Sequence, residues 1–427
     1  MNISATKKSI IEGAIDATLT YVYGEAALAY QKKRYLDAID AFEAIYGERE
    51  ISLYTVAGRS ELSGNHTDHN HGCVIAASID LDVIAVASKR DDNTVRIKSE
   101  GFSDDTIDLT SYTTPREDDF GTSGSIIAGM AAGFLKNGHA IGGFDAYCTS
   151  NVLKGSGLSS SAAFEDMVGN ILNYSYNDGK IDNVEIAMIA QYAENVFFGK
   201  PCGLMDQVAC AVGGIVAIDF ADPKSPVIDK VDFDMSANGY NLCIVNTGGN
   251  HADLTDDYAA VPAEMKSVAK LFGKEVLRGI SADELTGGAA KIRAEVGDRA
   301  LLRALHFVSE NDRVAKQKAA LLGGDLDAYF ANVIASGRSS FCYLQNVYTV
   351  KNVEEQGLSL ALAVAEGLLA GRGCAYRVHG GGFAGTVQAY VPTSCVEEFC
   401  SRMNAVFGED ACTVLRIRSA SAMKILS

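Results

Sequence analysis

Apolar residues along the chain switch between two periods. Ala38, Ala41, Phe42 and Ile45, just before "YGERE", recur at helical spacing. Most of residues 1–50 reads as helix. The stretch before about residue 34 carries no motif and reads as a packing or oligomer extension. "ISLYTVAG" is then a strand, and "CVIAASIDLDVIAVASKR" alternates as another. "GGFDAYCTSNV" puts Phe144, Ala146 and Cys148 on one strand face, and "KGSGLSSS" interrupts it. Phe164, Met167, Val168, Ile171 and Leu172 then form a helical stripe. The order is strand, Gly/Ser loop, helix.

A further helix is predicted near 183–198, broken by "GKPCG". "LMDQVACAV" is a short helix ended by Gly213 and Gly214, and "IVAIDF" is a strand. "DPKSP" is the clearest boundary signal in mid-chain. Beyond it come a strand at "YNLCIVNTGG" and helices over about 260–335 and 353–370. "CAYRVHGGGFAGTVQAYVP" reads as strand, triple-Gly loop, strand. Ser394 and Glu397 make a capping-box pattern, and "CTVLRIRSA" is a last strand. The fold class is α+β in two lobes. An extension covers 1–34, an N-terminal lobe 35–222 and a C-terminal lobe 223–427.

Composition narrows the function. At 427 residues the chain exceeds one ordinary core. A net charge of −17 disfavours nucleic acid and anionic lipid as partners. Ten scattered Cys without a C-x-x-C suggest reduced, cytoplasmic thiols. No apolar run argues a signal peptide or a membrane span. Oligomeric state is not fixed by these features.

Three stretches carry chemistry. "GRSELSGNHTDHNHG" (58–72) crowds His66, Asp68, His69 and His71 beside Asn65. It is either a metal site or a polar grip on something else. Along an extended loop alternate side chains point apart, which argues against converging ligands. "GSGLSSSAA" offers Gly155, Ser156, Gly157, Leu158, Ser159, Ser160 and Ser161 before a helix. The free N–H groups of a helix start make an anion site, although such a turn is often only a helix start. No G-x-x-x-x-G-K-[ST] occurs, which excludes an ordinary P-loop. In "GKPCGLMDQVAC", Asp206 is either a helix cap or a catalytic carboxylate. In "RVHGGGFAG", three consecutive Gly between strands imply close approach of a ligand or of the other lobe.

In this order, "GRSELSGNHTDHNHG", "GSGLSSSAAFE", "PCGLMDQ" and "GGGFAG" resemble the galactokinases of the GHMP kinase family, over roughly residues 35–427. The resemblance implies a two-lobed fold with its site in the cleft between lobes. It implies ATP with Mg²⁺ as cofactors and phosphorylation of a sugar's anomeric hydroxyl, galactose being the first choice. Loop 58–72 becomes a sugar-binding signature. Asp206 falls on the catalytic aspartate and Arg59 on the arginine at the reacting centre. Asn65, His66, Asp68, Gly203, Tyr258 and Gly382 fall on or near the sugar. Residues 155–161 fall on the ATP phosphates, with Ser161 and Glu194 at the metal.

Several positions depart from that pattern. Asn65 replaces Glu, His69 replaces Tyr, Leu153 replaces Pro and Ala384 replaces Gly. The basic cluster usual after the tyrosine is absent. Because Asn65 replaces a Glu expected near the sugar's C6 hydroxyl, a C6-modified sugar such as galacturonate is an alternative substrate. A non-catalytic sugar sensor is a second alternative.

Overall fold

The computed structural model describes residues 1–152, 157–249 and 254–426. Its strands are β1 (Ser52–Ser63), β2 (Cys73–Lys89), β3 (Thr94–Ser99), β4 (Asp104–Asp108), β5 (Phe144–Ser150) and β6 (Ile215–Asp219). Then follow β7 (Val227–Val231), β8 (Tyr240–Asn246), β9 (Ala375–Val378), β10 (Thr386–Pro392), β11 (Cys412–Leu415) and β12 (Met423–Leu426). Among the described residues they form two sheets. The larger has eight strands in the order β12-β1-β2-β5-β3-β4, with β6 on β2 and β7 on β6. The smaller runs β11-β8-β10-β9.

Strand β2 is the hub, and its alternation explains the layers. Val83, Ala85 and Ala87 face a core shared with the helices Ser123–Lys136, Ser160–Tyr176 and Asn183–Tyr192. Ile84 and Val86 face the opposite core, built by the helices Ile3–Ile11, Asp16–Tyr23 and Leu28–Tyr46. A sheet apolar on both faces must be covered on both. Residues 1–46 therefore form a packing layer of the first lobe. The limit drawn at residue 34 falls inside the helix Leu28–Tyr46, which no Gly or Pro interrupts. Ala38 and Phe42 are buried on its stripe, whereas Ile45 is 48% exposed in the last turn before Gly47.

A buried polar knot ties that layer to the chain's end. Asp82 accepts from Arg34 and from the hydroxyls of Tyr23 and Thr55, each at 2.5 Å, and Arg418 lies at 3.3 Å. Burial pushes the Asp82 carboxyl up, but the guanidinium groups of Arg34 and Arg418 hold it below the usual range.

The boundary at 222 is crossed twice. Strand β7 pairs with β6, and β12 pairs with β1. Residues 227–231 and 423–426 thus belong to the first sheet and not to the second lobe. Strand β12 is four residues long, too short for a period to show. The expected capping box at Ser394 is also absent. A 3₁₀ turn, Thr393–Cys395, precedes the helix, which starts at Val396 without a side-chain cap.

On the second sheet, Leu242, Ile244 and Tyr390 pack with Leu321 and Tyr329 and with Ile75 and Ala77 of β2. The two sheets therefore share one core, and the loops of the first meet the 380–382 turn of the second. Among the described residues, no helix is long and apolar enough to cross a membrane.

Candidate active site

The site is built where the chain turns from β5 into the helix Ser160–Tyr176. Gly155 and Ser156, two expected phosphate-loop residues, lie outside the described residues, as does Leu153. The rest of the loop is pinned from below. Arg59 N–H donates to the Leu158 carbonyl at 3.0 Å, and the Arg59 Nη1 donates to the Gly157 carbonyl. A Cβ at Gly58 would meet Leu158 O at 2.8 Å, so the strand needs glycine there. Leu158 itself buries its side chain among Leu62, Val152 and Ile215. Leu158 can therefore offer a ligand only its backbone.

Arg59 grips Asp206 side-on, Nε to Oδ1 and Nη2 to Oδ2, both at 2.8 Å. Such a paired, charge-assisted contact fixes orientation as well as charge. Asp206 opens the short helix Met205–Val212 and keeps its side chain 35% exposed to the cleft. Burial pushes its carboxyl up, yet the Arg59 guanidinium and the Ser159 hydroxyl overcome this and hold it below the usual range. Asp206 is therefore ionised at neutral pH.

Ser159 donates to Asp206 Oδ2 at 2.6 Å. It stands at the N-cap with a left-handed φ of 57° and makes no side-chain cap bond. Its hydroxyl is thus engaged by the aspartate, which leaves its backbone to face the expected phosphates. Among the described residues no side chain caps this helix start, which makes its N–H groups a ready place for an anion.

Ser160 and Ser161 line a cavity of about 560 Å³ beside this helix start. Phe102, Ile126, Phe164 and Phe198 supply apolar wall, and Glu165, Glu194 and Lys200 line it as well. Glu194 sits on a π-turn, Ala193–Phe197, a local widening common at functional sites. Its carboxylate accepts from Lys200 Nζ and from Gln207 Nε2, both at 2.9 Å. The same amide donates to Glu165 at 3.0 Å. Burial, then the Glu194 charge, pushes the Glu165 carboxyl up to about 8. Sequence reasoning missed Glu165, Lys200 and Gln207. One signal was present: Glu165 follows Ser161 by four residues on one helix, which puts both on one face.

The donor set fits Mg²⁺. A serine hydroxyl and carboxyl oxygens are the ligands a hard dication takes, and a cation there would favour the ionised form of the Glu165 carboxyl that burial and Glu194 now oppose.

The histidines of loop 58–72 do not converge on one point. His66 donates its ring N–H to the Gly381 carbonyl at 2.8 Å, and burial lowers its pKa to about 4. His69 faces solvent, 3.4 Å from Asp68. Among the described residues, the only cluster of converging metal-ligand side chains lies elsewhere and contains no histidine. Asp68 reaches the cleft beside Gly203, where an added Cβ would meet Asp68 Oδ2 at 2.4 Å.

Asn65 does not face the cleft. It is fully buried. It donates to Glu61 at 3.2 Å and to the Gly380 carbonyl at 2.5 Å, and it accepts from Asn346 at 2.8 Å. Glu61 is in turn paired with buried Arg377 at 2.7 Å. With both ends of its amide taken, Asn65 is an interlobe strut, and the expectation that it meets the sugar is corrected. Gly382 is held by the protein as well. A Cβ there would meet Asn346 O at 2.0 Å, and its own carbonyl accepts from Tyr258 at 2.9 Å. The triple glycine serves close approach of the protein's own Asn346 and Tyr258. His379, also missed, lies buried beneath the Arg59 pair and bonds Ser60 at 3.1 Å and Thr386 at 2.9 Å.

An ionised aspartate gripped by arginine, beside an uncapped helix start and a cavity, in this two-sheet fold, defines the GHMP class of small-molecule kinases. The family described as "GHMP kinases N terminal domain" matches residues 125–214, and the "Galactokinase galactose-binding signature" matches residues 40–89. Galactokinase of Streptomyces coelicolor is 30% identical over 372 residues, covering 86% of this chain and 92% of its own. That of Enterococcus faecalis is 30% identical over 366 residues, covering 84% and 91%. The crystal structure of Lactococcus lactis galactokinase complexed with galactose superposes with a TM-score of 0.76 at 25% identity, covering 91% of this chain and 99% of that one. Methanococcus jannaschii mevalonate kinase shares the fold alone, with a TM-score of 0.61 at 14% identity, covering 86% and 98%. The chain belongs to the galactokinase family.

Proposed function

We propose that the protein transfers the γ-phosphoryl group of ATP to the anomeric hydroxyl of galactose, giving galactose 1-phosphate. The observation that carries this reading is the Arg59–Asp206 pair, set 2.6 Å from Ser159 at an uncapped helix start. Galactokinases use ATP with Mg²⁺. Here Ser161 and Glu194 are the residues that would hold the ion, which would offset charge on the phosphate oxygens.

The cavity walled by Phe102, Ile126, Phe164 and Phe198 suits the flat, apolar faces of a purine. Its Ser160–Ser161 end lies at the helix start, where the phosphates would rest. Asp68, beside Gly203, is the sugar-facing carboxylate. His66 and Tyr258 hold the Gly381 and Gly382 carbonyls and brace the rim of the sugar site.

Asp206 orients the sugar hydroxyl as a fixed carboxylate acceptor. Arg59 keeps it ionised, which weakens it as a base. That suits phosphoryl transfer, whose loose transition state asks for positioning and charge offset more than proton removal. Transfer completes as the hydroxyl proton leaves with Asp206 as its nearest acceptor. We place the enzyme in the cytoplasm, where its free thiols stay reduced.

An ADP-release assay over a panel of sugars tests the reading. Galactose-dependent ADP release with a 1-phosphate product is the expected result. Absence of turnover on every hexose would overturn it.

A further inference from the structure

Three of the ten cysteines meet in the second lobe, away from the cleft. Cys243 lies on β8, Cys412 on β11, and Cys400 on the helix Val396–Phe407. All three sulfurs lie within 4.8 Å of one another, and those of Cys400 and Cys412 are 3.2 Å apart.

The fold aims them at one point. In the β8–β11 ladder Cys412 stands opposite Val245, and Cys243 opposite Val414. Cys243 and Cys412 are thus diagonal neighbours on one sheet face. The helix brings Cys400 to that face, where Phe399 and Met403 share a core with Cys243 and Cys412. Cys243 is fully buried, whereas Cys400 and Cys412 are half-buried, which leaves a path from solvent.

Neutral thiols are weak donors and weak acceptors, and three of them gain little from meeting. Thiolates around a soft cation gain much more. Three sulfurs bound at ~2.3 Å to one tetrahedral ion sit about 3.8 Å apart. The Cys400–Cys412 separation is somewhat shorter than that spacing and all three sulfurs lie within 4.8 Å, so small side-chain rotations would close the site.

We propose that Cys243, Cys400 and Cys412 form a three-thiolate site for a soft d¹⁰ cation such as Zn²⁺ or Cd²⁺, with a fourth position open to water. Binding converts three thiols to thiolates, and one M²⁺ releases three protons to leave a complex of net charge −1. The ion ties edge strand β11 and the helix to β8. This site is independent of the kinase centre, because none of its residues lines the cleft or the cavity.

The test uses the full-length protein, reduced and stripped of metal, titrated with Cd²⁺. Sulfur-to-metal charge-transfer absorbance should saturate at one equivalent. Differential alkylation with mass spectrometry should then show Cys243, Cys400 and Cys412 protected, with exposed Cys342 still reactive. Cys400→Ser and Cys412→Ser should each weaken Cd²⁺ binding by at least about tenfold. The double variant His69→Ala/His71→Ala should bind as wild type does. Absence of the band at one equivalent would overturn the proposal. So would protection of other cysteines, or conversion of Cys400 and Cys412 to a disulfide in place of metal binding. The alkylation pattern is read on the wild type, so it decides even if a serine variant fails to fold.

Discussion

Ser159 donates its hydroxyl to Asp206 at 2.6 Å and leaves its own helix uncapped. One side chain thus acts on both halves of the chemistry. It holds the carboxylate that, on the function proposed above, meets the sugar hydroxyl, and it gives the start of its own helix no side-chain cap, which on the same reading leaves that end for phosphate. Its left-handed backbone, unusual for serine, is the strained element of that arrangement.

Asp206→Asn keeps the shape and removes the charge. Its kcat should fall by about 10²–10⁴, with ATP affinity by calorimetry kept within about threefold. Near-normal turnover would remove Asp206 from the centre.

Much of this site was legible in the sequence because its parts are contiguous. The Gly/Ser loop, Arg59 and Asp206 each sit in a short motif, and it is the order of these motifs, through the family they resemble, that separated a site from a plain helix start or cap. Residues that act through partners distant in the chain were not legible. Asn65 meets Asn346 and Gly380 across 281 and 315 positions, and no local pattern reports that. The same holds for β12, whose partner β1 lies at the other end of the chain. The triple glycine was legible as a close approach, but not what approaches it.

Asn65→Glu now becomes a stability prediction. The new carboxylate would face Glu61 and the Gly380 carbonyl, where Asn65 donates two hydrogen bonds. Losing both and burying a like charge should cost at least about 3 kcal/mol. Urea midpoints measure this, and adding Glu61→Gln should recover part of the loss. Unchanged midpoints would show that Asn65 is free to turn toward the cleft.

Gly203→Ala should act on the sugar alone. The new methyl would displace the Asp68 carboxylate, the far end of a flexible side chain, so the fold survives. Losing one charge-assisted hydrogen bond raises KM for galactose by about 10–100-fold. KM for ATP should hold. A parallel rise in both would place Asp68 outside the sugar site.

Asp166 gives a prediction in pH. It is fully buried in the helix Ser160–Tyr176, and neither carboxylate oxygen has a hydrogen-bond partner among the described residues. Burial, then the neighbouring Glu165 carboxyl, pushes its pKa well above the ordinary value, and Cys210 also lies close. The folded protein therefore holds a proton here that the unfolded chain releases near pH 4. Stability from this group is full below the unfolded pKa and is lost as pH rises through the folded one. Each unit of upward shift costs about 1.4 kcal/mol once pH passes the folded value. Asp166→Val has nearly the same shape and nothing to titrate. It should be more stable than wild type by about 1–3 kcal/mol at pH 8. The gap should narrow steadily as pH falls toward 4. Urea unfolding of both proteins at four pH values measures it. A gap independent of pH would mean that Asp166 is ionised in the fold and has a cationic partner.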